Sequence, residues 1–269
     1  MPDIWGQSSE KGRVGQELRE EVQLHLARHL GEPHVAFSDQ DGWAGRSREP
    51  GPSVDVMVVP PEGERRFAYV CTFGSSLKKV AAAADPGLTS FAFASPALAT
   101  STPATSGRME FVLAVPQCGD ARTDLGMLNL GANTVRQFAK LVHIQKIRVS
   151  AGQTVQFSRN PRPILEGSRQ VAFAFMPPRL PADSFARLKT GEGESITFWA
   201  PIPITRDELQ AGVHHGASRF ATGLLKAGVT EMLHATRPSA ARGAYGLRRP
   251  VADQLRSLFR SVLSRPNAL

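Results

Sequence analysis

Val54-Asp55-Val56-Met57-Val58-Val59-Pro60-Pro61 is the stretch on which the fold turns. Four of its first six residues are valine, and Asp55 is the only polar one. β-Branched side chains suit a pleated strand, and two prolines that cannot donate to a ladder close it. Working outward on the C-terminal side, Glu62-Gly63-Glu64-Arg65 reads as a turn. Phe67-Ala68-Tyr69-Val70-Cys71-Thr72 is then the paired strand, broken by Gly74. On the N-terminal side, Asp39 to Gly51 is polar and hairpin-like, with Gly42, Gly45, Pro50 and Gly51. Before it lies the short apolar run Val35-Ala36-Phe37.

A helix precedes these strands. Leu18, Val22, Leu26 and Leu30 recur every four residues. Glu17, Glu20 and Glu21 stand near its start, Gly31 sits where a C-cap glycine belongs, and Pro33 stops it. Residues 1–14 are polar and glycine-containing and read as a flexible N-terminus.

Further strands are expected at 109–115 (ended by Pro116), 154–157, 171–176 (ended by Pro177-Pro178) and 195–204. A helix capped by Asn133 carries Val135, Phe138, Ala139, Leu141 and Val142. Another begins at Thr205, with Asp207 and Glu208 in its first turn, and runs to His215 or Phe220. Residues 81–107, rich in Ala, Ser, Thr and Pro, read as an elaborated loop. Strands outnumber helices and their connections vary in length. The expected class is α+β: a mixed β-sheet with flanking helices.

Composition narrows the function. Of 269 residues, 41% are hydrophobic and 21% charged, which describes a globular chain and not a disordered one. The net charge of +8 is uneven: residues 237–269 hold seven arginines and one acid, so residues 1–236 carry only +2. Nucleic-acid binding by the main domain, 15–236, is therefore not expected, because phosphate contacts need a clustered cationic face. The tail reads as a basic linker plus an amphipathic helix. Val251, Leu255, Leu258, Phe259, Val262 and Leu263 share one face, and arginines lie off it. That helix can pack on its own domain, enter a partner groove or touch an acidic surface. Cys71 and Cys118 make no Cys-x-x-Cys pair and read as reduced thiols. The N-terminus lacks the apolar core of a secretory signal, and no apolar run is long enough to span a bilayer, so a cytoplasmic location is expected.

Motifs for chemistry are weak. His25 and His29 have the i, i+4 spacing of a zinc site, but Leu26 stands where a general-base glutamate would be and no third ligand is apparent. They read as two solvent-facing histidines. Adjacent His214 and His215 point in different directions on a helix. Thr72-Phe73-Gly74-Ser75-Ser76 has one glycine, too few for a phosphate cradle. Cys71 lies in an apolar strand and reads as core. Asp55 points to water if the sheet has a wet face, and needs a partner if both faces are covered. No catalytic residue, metal or cofactor is expected. The alternative is an enzyme with a dispersed acid/base site of His143, Asp55 and Glu110.

Taken in order, these pieces resemble the suppressor of fused family. They are His29-Leu30-Gly31-Glu32-Pro33 with Val35-Ala36-Phe37, then Val54 to Pro61, then Tyr69 to Ser76, then Glu110 to Pro116. Gly152-Gln153-Thr154-Val155 and the run from Ile196 to Ile202 with Asp207-Glu208-Leu209 complete them. The resemblance covers about residues 16–220 and is to the single-domain bacterial type. Ser75 replaces the methionine usual after the family's "T-x-G" turn, and residues 81–107 are longer and blander than in the family. The animal members' second lobe is not expected in the remaining chain.

The resemblance implies a binding protein and not an enzyme. Animal members hold a peptide as an added β-strand, and bacterial relatives resemble immunity proteins that occlude toxins. The expected partner is thus a toxin or a peptide segment, with a regulatory scaffold binding by strand addition as the other reading. The expected partner-binding residues are Val54, Asp55, Val56, Thr72, Phe73, Gly74 and Ser75. The basic tail is a second candidate for an acidic partner.

Overall fold

The structure is a computed structural model that describes residues 4–38, 52–80, 107–147, 149–157, 162–234 and 236–241. Its frame is one eight-stranded mixed sheet. The strands are β1 (His34–Phe37), β2 (Asp55–Val59), β3 (Phe67–Phe73), β4 (Arg108–Pro116), β5 (Thr154–Val155), β6 (Gln170–Met176), β7 (Arg187–Lys189) and β8 (Ser195–Thr205). They lie in the order β1-β2-β3-β4-β8-β6-β5, with β7 paired to β8. β1 to β4 form an antiparallel meander; β6 and β7 each pair antiparallel with β8, and β5 pairs antiparallel with β6. The seam between the two halves is the parallel pairing of β4 with β8, Arg108 opposite Ile196 through Phe111 opposite Trp199.

Alternation along the strands divides the apolar residues between two faces. Met57, Val59, Tyr69, Cys71, Phe73, Val112 and Ala114 point one way. They meet Leu18, Val22, Leu26 and Leu30 of α1 (Ile4–Leu30). Ala211 of α3 (Arg206–His215) and Phe220 and Leu224 of α4 (Ala217–Lys226) belong to the same cluster. Val54, Val56, Val70, Met109, Phe111, Leu113 and Val115 point the other way, onto Val135, Phe138, Ala139 and Val142 of α2 (Ala121–Gln145). Each such side chain taken out of water stabilises by about 1.5–3 kcal/mol. The molecule is therefore an α+β domain of three layers, and the question left open for Asp55 is answered: both faces of the sheet are covered.

Several expectations need correction. The first helix starts at Ile4, so the stretch expected to be flexible is helical from its fourth residue. Propagating an existing helix through Gly6, Gly12 and Gly15 costs far less than nucleating one. α2 starts twelve residues before Asn133. Asp120 is its cap, accepting the Thr123 N–H. The strand expected at 154–157 shortens to Thr154–Val155. The helix from Thr205 opens on a capping box with Glu208 and ends at His215, the nearer of its two expected ends, after which α4 begins as a separate helix. The tail boundary also moves. Arg237 to Ala241 pack on the domain, and Ala241 is fully buried. Residues 81–106 of the loop expected at 81–107, and the helix expected at 251–263, lie outside the described residues. Among those described, no helix is long and apolar enough to cross a membrane.

Candidate functional site

β3 ends at Phe73, and Gly74 then turns the chain with φ of 107°, a left-handed conformation. A Cβ there would come within 3.0 Å of the Ser53 carbonyl oxygen, so only glycine fits without displacement. A short 3-10 turn follows, Ser75–Leu77. The turn is built over a carboxylate. Glu110 of β4 is completely buried, and its Oε1 accepts the N–H groups of Gly74 (3.2 Å) and Ser76 (2.9 Å). Its Oε2 accepts the Thr72 hydroxyl at 2.5 Å, and Thr72 Oγ1 in turn accepts the Phe111 N–H at 2.7 Å. Burial pushes the Glu110 carboxyl up, against the pull of hydrogen bonds from Ser76, Thr72 and Gly74.

His143 of α2 holds the same turn from the other side. Its Nε2 lies 3.0 Å from the Ser75 carbonyl oxygen and 3.2 Å from Ser75 Oγ. A carbonyl oxygen only accepts, so Nε2 carries the proton in this arrangement. A base for Ser75 would need that nitrogen bare. Burial also lowers the His143 pKa. The third member of the dispersed acid/base set, Asp55, faces elsewhere. It pairs with Arg19 of α1 at 3.3 Å and accepts the Ser38 hydroxyl at 3.3 Å. Arg19 also stacks over the Phe73 ring, 4.9 Å from its centroid. The three residues thus surround one turn without converging on a common reaction centre.

The seven expected partner-binding residues fall in this region, but not on its surface. Val54, Val56, Thr72, Phe73, Gly74 and Ser75 are buried, and only Asp55 is half-buried. β2 lies between β1 and β3, so its main chain is already paired on both sides. β2 therefore offers no free edge for strand addition, and its nearly unbroken apolar run is the mark of a strand covered on both faces. What reaches solvent is the exit of the turn, Lys78 and Lys79.

The expected pair of solvent-facing histidines is also corrected. His25 is buried, donates from Nε2 to the Phe185 carbonyl oxygen (2.9 Å) and stacks on Phe198. Burial, then the neighbouring His29 and Arg28 charges, lowers its pKa. Cys71 is buried and its thiol pushed up, as befits a core residue, while Cys118 is exposed. Among the described residues no three His, Cys, Asp or Glu side chains gather as a metal site.

Two further buried acids were not flagged by the sequence. Glu208 accepts both terminal nitrogens of Arg237 at 2.7 Å, the Thr205 N–H at 2.8 Å and the Ala240 N–H at 2.7 Å. Glu231 accepts the N–H groups of Arg179 and Leu180, both at 2.9 Å, and burial raises its pKa. The capping-box spacing Thr205-x-x-Glu208 was the available signal for the first. The second has no local one, because its partners lie some fifty positions away.

Comparison with known proteins bears on this frame. Residues 50–238 match the family profile described as suppressor of fused protein. No curated protein matches in sequence. Among solved structures, the suppressor of fused homologue of Neisseria gonorrhoeae FA 1090 is similar with a TM-score of 0.53 and 17% identity, over 84% of this chain and 96% of that one. The structure of the Sufu-Fu complex has a TM-score of 0.49 and 10% identity, over 94% and 97%. Drosophila Suppressor of Fused has 0.48 and 11%, and the match spans 92% of this chain and 54% of that one.

Proposed function

The chain belongs to the suppressor of fused family, and on that premise we propose that it is a non-enzymatic protein-binding module of the immunity type, which binds and occludes a toxin. The observation that carries the reading is how the titratable side chains are used. Glu110, Glu208 and Glu231 each accept backbone N–H groups, and His25 and His143 each contact a backbone carbonyl. Groups held this way fix the shape of a surface; a catalytic set instead points free atoms at one space. The Phe73–Ser76 turn supports the binding face from beneath, and its solvent-facing exit makes the contact.

Purified full-length chain, used to capture the product of a toxin-like reading frame beside its own, tests this. The expected outcome is a stoichiometric complex that abolishes toxicity. Turnover of a small molecule, lost in His143→Asn with the fold retained, would overturn it. A charge placed in Val54–Val59 is no test, since those buried positions report folding.

A further inference from the structure

Where the turn exits, the chain forms a hollow of about 340 Å³ lined by Lys79, Gly107, Arg108, Arg187, Glu194, Ser195 and Thr197. Three elements meet there: the end of the turn, the start of β4 and the β7–β8 hairpin. Three cations surround one acid. Arg108 is mostly buried and donates to the Ser76 (2.7 Å) and Leu77 (3.0 Å) carbonyl oxygens and to Glu194. Lys79 also pairs with Glu194 but is 60% exposed. Arg187 is exposed and sits directly across from Thr197, while Lys189, also exposed, sits across from Ser195 on the same face. The rim is thus cationic beyond what Glu194 neutralises, and Arg108 fixes its floor.

We infer that this hollow is a docking site for an acidic segment of a protein partner, with Lys79 and Arg187 receiving carboxylates while Arg108 and Glu194 hold the cationic rim in shape. The inference rests on the protein-binding reading and adds the partner's chemistry to it. Charge complementarity chooses the occupant. A nucleic-acid strand needs a cationic track that follows many phosphates, whereas here a few cations close around a carboxylate of the chain's own. A small concave site with hydroxyls at its wall suits one or two carboxylate side chains.

The test uses the full chain and a fluorescein-labelled peptide of ten glutamates, with a single-stranded DNA decamer of random sequence as the competing probe. Anisotropy is read at low and physiological salt, and amide shifts are mapped by NMR. The expected result is saturable peptide binding with shifts confined to the turn exit and the β7–β8 hairpin. Affinity should fall about tenfold or more in Lys79→Gln/Arg187→Gln, which keeps two neutral polar side chains at exposed positions and loses only an exposed ion pair, so its melting temperature stays close to the wild-type value. Equal peptide binding by wild type and the double variant would overturn the inference and show that the charges only guard an edge strand. Preference for the DNA decamer would overturn it too. Neither result depends on the native partner, so toxin capture reads the binding-module proposal separately. A complex that forms equally well with the double variant leaves that proposal standing and sinks the docking site.

Discussion

Glu110 brings a carboxylate to a place without water, and the chain answers with two amides and a hydroxyl. Glu110→Ala strands all three donors, so chemical denaturation should show a loss of about 3 kcal/mol. Glu110→Gln should cost less and should change the pH dependence. Burial raises the Glu110 and Glu231 carboxyls, so the folded chain keeps protons that the unfolded chain releases. Their contribution is complete below about pH 4.5 and is lost as pH rises towards the folded-state values. His25 and His143 act in the opposite sense. Burial lowers both, so stability grows as pH rises through their folded values to about 6.5. Melting temperatures taken against pH should therefore show the wild type losing ground to Glu110→Gln above pH 4.5. A constant difference between the two would refute this account.

Junctions between elements carry the next scale. Gly152, with φ of 81°, lies against the start of α4, and a Cβ there would fall 2.0 Å from the Ala217 carbonyl oxygen. That contact is with backbone, so Gly152→Ala must move either the loop or the helix. We expect a loss of about 3 kcal/mol or more, measured as a lower urea midpoint. Arg237 bridges the tail segment to α3 through buried Glu208. Arg237→Ala leaves the buried carboxylate with two backbone N–H donors but no counter-charge, and a loss of about 3 kcal/mol is expected by the same measurement. Legibility differs sharply between elements of this size. β2, β3, β4 and β6 stood out because dense β-branched and aromatic runs are closed by Pro or Gly, and β8 because its apolar run from Ile196 to Ile204 leads straight into a helix start. α2's first half was unreadable, because Gly126, Asn129 and Gly131 dilute its periodicity and packing on the sheet overrides propensity. β7 has three residues and exists only through its pairing with β8. At the site, Thr72, Ser75, Glu110 and His143 could all be singled out in sequence. Their burial could not, since it depends on which strands end up inside the sheet.

For the molecule as a whole, the charge asymmetry seen in the sequence misplaced the domain's end. Composition shifts at Arg237, but packing continues to Ala241. Two truncations separate these boundaries. A chain ending at residue 236 should melt well below one ending at residue 241, because only the longer keeps the Arg237–Glu208 pair and the Ala240 N–H bond to Glu208. Equal melting temperatures would show that the segment contributes nothing. The parallel seam has a different consequence, one that arises before the fold is complete. β4 leaves the ribosome with one edge unsatisfied, and its neighbour β8 follows only after α2, β5, β6 and β7 have been translated. At ordinary elongation speeds that interval is on the order of ten seconds. Throughout it, the nascent meander presents a long apolar edge, and a chaperone or a second nascent chain can reach that edge before β8 does.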